Sequence, residues 1–395
     1  MFNMILKDLR ISPLRSILTG VSMFVGIIAM ICSVLAGTLG KEYLVCVNAQ
    51  ISGKSPTYSF SVSDAALDDP EKLRRFLDAL NTINDAVSVT FFMDKEVKFA
   101  PAASSPSEQD AYHIYKALTP VEAVFTTERY NEIYDLPIFS GTWLNNDSAL
   151  EIVANKEAAA SYFKTDHVVG AASDSLALTP FRLVGIVNDG RNFSTLYLNA
   201  AAVLELAPHL WTAQGASIYW HSGNGLTPEQ MNSALRDILD DTIGGILTPS
   251  GRSDLGESYA SVLSILQMGL LVTAVLLLFV SILGQINIGL SSLEQRTHEL
   301  LIRRAIGASQ GNIILLVLGS QMIVSIFVCI AAILLSFSLV ECIGSFLPAD
   351  SPVTVPGYPV AAAITAVVAS IVTALLGGLF PAIKASRLEP ALVLR

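Results

Sequence analysis

SYASVLSILQMGLLVTAVLLLFVSILGQINIGLSSL, residues 258–293, runs without one charged side chain. A helix crosses a hydrocarbon core in about 20 apolar residues, so this stretch crosses once and has residues to spare. At a rise of about 1.5 Å per residue, the surplus carries the helix beyond the bilayer as a stalk. Three further stretches also lack charge: 16–40, 305–340 and 351–383. The spacing predicts four spanning helices, over about 16–39, 262–290, 313–340 and 359–381.

Composition agrees with this reading. Only 15% of the 395 residues are charged, against roughly 25% in soluble domains. The net charge of -10 argues against a nucleic-acid binder, which needs a basic face. Four cysteines without CxxC spacing exclude a disulfide scaffold and a zinc ribbon. No HExxH occurs, and the five histidines are scattered, so hydrolase and metal readings lack support.

Basic residues set the orientation. Lys7, Arg10 and Arg15 precede the first span, and Arg296, Arg303 and Arg304 lie between the second and third. Lys384, Arg387 and Arg395 follow the fourth, whereas 346–357 has neither Lys nor Arg. Both termini and the middle loop are therefore expected on the cytoplasmic side. Residues 41–257 are expected outside, with 15 basic side chains against 28 acidic ones. The first span is too long, and its Leu39-Gly40-Lys41 exit too poor a cleavage site, for a signal peptide. Residues 1–15 read as an amphipathic elbow helix in the cytoplasmic interface, with Phe2, Ile5, Leu6 and Leu9 on one side.

The outer segment alternates strand-like and helical runs. Tyr58–Val62, a helix over 69–81 opened by Asp68-Asp69-Pro70, and Val87–Phe92 form one β-α-β unit. Ser217–His221, a helix capped by Thr227, and Gly245–Thr248 form another. The two are expected to pair as membrane-proximal halves, 41–98 and 217–250, with 99–216 inserted between them. Within the insert, strands are expected at 122–125, 151–154, 181–187 and 195–198, a helix at 157–163 and a loop at 102–109.

EQRTHELLIRRAIGAS at 294–309, GGLFPAIKASRLEPALVLR at 377–395 and KDLRISPLRSILT at 7–19 together resemble the permease subunits of MacB/FtsX-type ABC transporters, the mechanotransmission class. TTERYNEIYDLPIFS at 126–140, VANK at 153–156 and FRLVGIVNDG at 181–190 resemble the MacB-like extracytoplasmic domain. The resemblance implies a membrane protein with four transmembrane α-helices and a large α+β extracytoplasmic domain inserted between helices 1 and 2. Its division is elbow 1–15, first span 16–40, outer domain 41–257, stalk and second span 258–293, coupling loop 294–311, third span 312–345, short outer loop 346–358, fourth span 359–383 and tail 384–395.

The same resemblance implies the plasma or inner membrane of a prokaryote, a second permease protomer, two copies of an ABC ATPase and an adaptor or outer-compartment protein. No GxxxxGK[ST] loop occurs in these residues. The chain is thus expected to be non-catalytic and to carry no cofactor, with ATP and Mg bound by a separate ATPase. The cargo expected is an amphiphilic compound, a peptide or a lipid-linked molecule. FtsX-like signalling to a cell-wall hydrolase, and an unrelated four-span receptor or adhesin, are the rivals.

For sites, the resemblance implies a coupling helix at Glu294, Arg296, Glu299, Arg303, Arg304, Ala305, Gly307 and Ala308. Arg303 and Arg304 offer charge and hydrogen bonds to an acidic partner, and the small residues allow close approach; the plainer alternative is a basic loop that only fixes topology. Lys384, Arg387 and Pro390 either touch the ATPase or anchor the tail at the interface. Gly20, Gly26, Gly377 and Gly378 suit helix packing. Gln285, Asn287 and Gln321 are expected to pair between helices or face a partner protomer. Glu341 meets interfacial water, cargo or a cation. Cys32 and Cys329 read as core fillers, and Cys46 and Cys342 can pair only if their Cα atoms come within about 6.8 Å.

Overall fold

The computed structural model describes residues 13–101, 108–145, 149–161, 167–172, 177–223, 225–346 and 357–387. Residues 1–12 of the expected elbow helix, most of the outer loop 346–358 and the tail beyond Arg387, with Pro390, lie outside them. The chain divides into two compact units, one built on apolar helices and one on Glu42–Tyr259.

The first apolar helix, α1, is Pro13–Ser52. The α/β unit then runs β1 (Thr57–Ser63), α2 (Pro70–Asn81), β2 (Ala86–Met93), β3 (Val97–Pro101), α3 (Glu108–Ala117), β4 (Thr119–Pro120), β5 (Glu122–Thr126), α4 (Tyr130–Tyr134) and β6 (Ile138–Gly141). It continues with β7 (Glu151–Asn155), α5 (Lys156–Ser161), β8 (His167–Ala172), β9 (Thr179–Val187), β10 (Thr195–Asn199), α6 (Ala200–Leu206), β11 (Ala213–His221), α7 (Pro228–Asp241) and β12 (Ile246–Arg252). Three apolar helices complete the chain: α8 (Gly256–Ala305), α9 (Gln310–Phe346) and α10 (Val360–Ser386). The protein is therefore a four-helix membrane protein with a mixed sheet domain between its first two apolar helices.

Local chemistry sets the two helices that cover one end of the sheet. Asp69 caps α2 by accepting from the Glu71 and Lys72 backbone N–H groups, and Pro70 supplies a preset φ at the first turn. Leu73, Phe76 and Leu80 then fall on the buried face. Thr227 and Gln230 form a reciprocal capping box at α7, which buries Met231, Leu235 and Leu239.

The sheet runs β12-β1-β11-β2-β5-β10-β7-β9-β8-β3-β4, with β6 paired to β9. The two β-α-β units interleave, since β11 lies antiparallel between β1 and β2. The middle section does not close on itself: β5 pairs with β2 through Thr90–Thr126 and Phe91–Phe125 and continues the same sheet. β12 reaches Arg252, beyond the expected end at Thr248. Pro249 signals a break but sits on an edge strand beside a register shift, where no ladder N–H is needed. The sequence pattern does not mark β3, β4, β6 or β8. The small residues of β8 make sense only in three dimensions, because a Cβ on Gly170 would come within 2.9 Å of both Phe99 and Phe181.

In the helical unit, small and hydroxyl side chains bring α1 and α8 together. Ser281 donates to the Ser22 carbonyl at 2.5 Å, and Gln285 Nε2 donates to Ser281 Oγ at 3.3 Å. A Cβ on Gly26 would sit 3.2 Å from Leu278 and Ser281, and one on Gly377 would sit 2.5 Å from Gln285 Oε1. Gly378 would meet Gln321 and Leu318 at 3.2 Å, whereas Gly20 would make only an ordinary 3.6 Å contact with Val328. Gly37 against Gln267 (2.6 Å) and Gly289 against Pro381 (2.7 Å) are equally tight. Ser325 donates to the Ser370 carbonyl at 3.0 Å between α9 and α10. All four cysteines are free thiols, and Glu341 is exposed.

Within the coupling segment 294–311, the residues up to Ala305 are helical. α8 continues to Ala305 because its charged residues leave the apolar stretch without breaking the helical pattern. The turn itself is short and depends on Gly307, whose φ of 104° is open to glycine at little cost.

Substituting Gly377→Val is expected to destabilise the detergent-solubilised protein by about 1–3 kcal/mol through overpacking. Gly20→Ala is expected to leave the thermal midpoint within about a degree. The measurement is thermal unfolding of the purified chain.

Candidate functional site

Two places in the structure gather polar and exposed groups. The first is the α8–α9 turn. The Gly307 N–H donates to the Arg304 carbonyl at 3.0 Å, and Ser309 Oγ accepts from the Asn312 N–H at 3.2 Å to open α9. Leu300 turns inward and packs with Leu293, Ile313, Leu316 and Ala385. Arg304 Nη1 donates to the Ser386 carbonyl at 3.0 Å, so the turn and the end of α10 are tied to each other. Glu294, Glu299, Gly307, Lys384 and Arg387 are exposed, and Ala308 is half-buried. Arg296, Arg303 and Ala305 lie in α8, and their side chains fall outside the described residues.

The turn also presents two apolar side chains that the sequence reading missed. Ile306 is 82% exposed and Ile302, one helical turn earlier, 43%. Two isoleucines at i,i+4 within a charged segment were the available signal.

The second place is a joint inside the α/β unit, where α1 ends and α8 begins. Asn48, 4% exposed, accepts from the Leu255 N–H at 3.0 Å through Oδ1 and donates to the Gly53 carbonyl at 3.3 Å through Nδ2. Asp254 accepts from the Thr57 N–H at 3.0 Å, the Gly256 N–H at 3.0 Å and Arg252 Nε at 2.7 Å. Arg252 also donates to Ser55 Oγ at 2.7 Å and pairs with Glu257. Ser253 Oγ donates to the Ser52 and Thr57 carbonyls. The last turn of α1, the first turn of α8 and the edge of the sheet thus share one hydrogen-bonded knot. Burial alone would raise the Asp254 carboxyl, but bonds from Arg252, Thr57, Ser55 and Gly256 overcome it and hold the group below the usual carboxylate range.

Elsewhere in this unit, a cavity of about 380 Å³ lies between α2 and α6, floored by Leu73, Leu77 and Leu204 and rimmed by Glu71, Arg74 and Glu205. A second buried carboxylate, Asp189, accepts from Tyr197 Oη at 2.9 Å and Asn155 Nδ2 at 3.1 Å. Burial pushes the Tyr197 hydroxyl well above its ordinary value, so it stays a donor. These groups join β7, β10 and the turn at 188–190, and the arrangement is a structural one. His209 and His221 are also held, by Thr179 at 2.7 Å and by the Pro56 carbonyl at 3.0 Å.

Residues 271–390 match the family model for the FtsX-like permease C-terminal region. The macrolide export ATP-binding/permease protein MacB of Psychrobacter cryohalolentis is 24% identical over 406 aligned positions, which cover 98% of this chain and 58% of that protein. MacB of Hahella chejuensis is 38% identical over 121 positions, 30% of this chain and 17% of that protein. The chain thus spans less than two thirds of the length of these curated relatives. Among solved structures, the periplasmic region of MacB from Actinobacillus actinomycetemcomitans covers 54% of this chain and 94% of its own, with 13% identity and a TM-score of 0.34. The extracellular domain of the transporter YknZ from Gram-positive bacteria covers 49% and 98%, with 11% identity and a TM-score of 0.32.

Because the folded Asp254 carboxyl sits below its ordinary value, its contribution is present at neutral pH and is lost as pH falls below about 4. Asp254→Asn is therefore expected to lower stability at pH 7 by about 2 kcal/mol. The gap from the unmodified protein should narrow as pH drops through 4. Thermal unfolding across pH 3–8 measures both.

Proposed function

We propose that this chain, which the likenesses above support as a MacB/FtsX-type permease, couples ATP hydrolysis by an ABC ATPase to movement of its α/β domain. Both termini and the α8–α9 turn face the cytoplasm, as the basic residues at 7–15, 296–304 and 384–395 favour. The acidic α/β domain faces the outside of a prokaryotic plasma membrane. The ATPase, in two copies that bind ATP and Mg, belongs to a polypeptide other than these 395 residues, and the permease works as a dimer. The work done is export or extraction of an amphiphilic compound, a peptide or a lipid-linked cargo.

One observation carries this reading. α8 is a single unbroken helix from Gly256, beside the Asp254 knot, to Ala305, beside the exposed turn. At about 1.5 Å per residue it measures roughly 75 Å, longer than any bilayer needs. A continuous rod with a partner surface at one end and a buried fastening at the other passes a tilt or shift along its length. Cargo would be acted on by the outer domain, since four spans per protomer, with few polar groups among them, leave little room for a wide aqueous path.

Coupling rests on the residues of the turn: Arg303 and Arg304 for charge, Ile302 and Ile306 for apolar contact, and Gly307 and Ala308 for close approach. Arg304 has a second duty through Ser386, so its replacement alone does not isolate the partner contact. Ile306 has no such duty, because its side chain lies in the open.

Ile306→Glu and Arg303→Glu are each expected to lower ATPase co-purification and transport-linked ATP hydrolysis at least about 10-fold, the effect of about 1.4 kcal/mol. Membrane insertion and thermal midpoint should stay unchanged. Unaltered association and unaltered hydrolysis in both variants would overturn the coupling assignment.

A further inference from the structure

We propose that the cavity between α2 and α6 binds a small amphiphilic cation, an apolar ring body that carries an ammonium or similar positive head. The inference goes beyond the coupling reading and does not depend on it, because every residue of the cavity wall lies within the α/β unit. Three pieces of chain meet there: one face of α2, the residues Thr127 and Glu128 that follow β5, and the first turns of α6. α2 belongs to the first β-α-β unit, whereas β5 and α6 come from the section inserted after it. Junctions of this kind are where small-molecule sites gather.

The cavity is roomy and its floor is set in advance. Its volume of about 380 Å³ falls in the range of roughly 300–1,000 Å³ that takes a drug-sized molecule. Leu73 and Leu204, buried at the floor, belong to the main hydrophobic core of the unit, and Leu77 packs against that core. A ring body laid on these side chains removes apolar surface from water, and the floor need not rearrange to receive it.

The rim decides the sign of the ligand. Glu71 is already paired with Arg75 at 3.4 Å. That leaves the carboxylates of Asp78, Glu128 and Glu205 against the single guanidinium of Arg74, all exposed. Arg74 and Asp78 stand one helical turn apart, yet neither they nor Glu205 make an ion pair or hydrogen bond with any described residue. An anion finds no cradle at the bordering helix ends. Asp69 takes the Glu71 and Lys72 N–H groups of α2, and Asn199 takes the Ala201 and Ala202 N–H groups of α6. An apolar floor below a rim with surplus, unpaired carboxylates is complementary to a molecule that buries its body and leaves a positive head at the mouth.

The test is fluorescence anisotropy on the full chain in nanodiscs of zwitterionic lipid, with empty nanodiscs as background. The probes are rhodamine 6G and fluorescein, which share a xanthene frame and differ in the sign of their charge. Rhodamine 6G is expected to bind saturably and fluorescein at least about 5-fold more weakly, the scale of two exposed charge contacts. Asp78→Asn combined with Glu205→Gln should weaken rhodamine 6G by about 5-fold on the same scale, and Arg74→Gln should tighten it by about 2-fold. Ala201→Phe, which fills the cavity from the α6 wall, should abolish binding; the charge variants, all at exposed positions, decide the matter if that variant does not fold. Fluorescein binding as tightly as rhodamine 6G, no saturable signal above empty nanodiscs, or an affinity for rhodamine 6G that the Asp78/Glu205 change leaves unaltered would each overturn the site. Ile306→Glu should leave the affinity as it is, so a failure of the coupling reading and a failure of this one are told apart.

Discussion

The buried carboxylate of Asp254 fastens three separate pieces of backbone. It takes hydrogen bonds from β1 through Thr57, from the start of α8 through Gly256, and from the Arg252 side chain at the end of β12. Asn48 adds the last turns of α1 to the same knot. A charge with no exposed side-chain area is expensive to bury unpaired, so these groups hold one another in place. Removing one leaves the others unsatisfied, and the joint is stiff for that reason.

α1 is one unbroken helix over Pro13–Ser52, and α8 is another over Gly256–Ala305. Within the helical unit, Ser22 and Ser281 link the same two helices again, and Gln285 supports Ser281 from the next turn of α8. The small residues Gly26 and Gly37 let their backbones approach. At the other extreme, Arg304 joins the α8–α9 turn to the end of α10.

Much of this was legible from patterns that depend on near neighbours in the chain. Charge-free length marked all four apolar helices, and the Asp69-Pro70 and Thr227–Gln230 caps marked α2 and α7, because these signals lie within a few residues. What failed to show depended on distant partners. β8 reads as a run of small residues until Phe99 and Phe181 are seen around Gly170. β12 seems to stop at Pro249 until its edge position is known. Asn48 and Asp254 are ordinary polar residues in the sequence, 206 positions apart by number (254 − 48), and only the fold brings both onto one knot.

Both end strands of the sheet path carry a proline: Pro249 in the middle of β12 and Pro120 in the two-residue β4. Proline has no N–H to offer an incoming strand. At these two margins an incoming strand would find one ladder donor missing, whereas β6, the exposed strand beside β9, carries no proline.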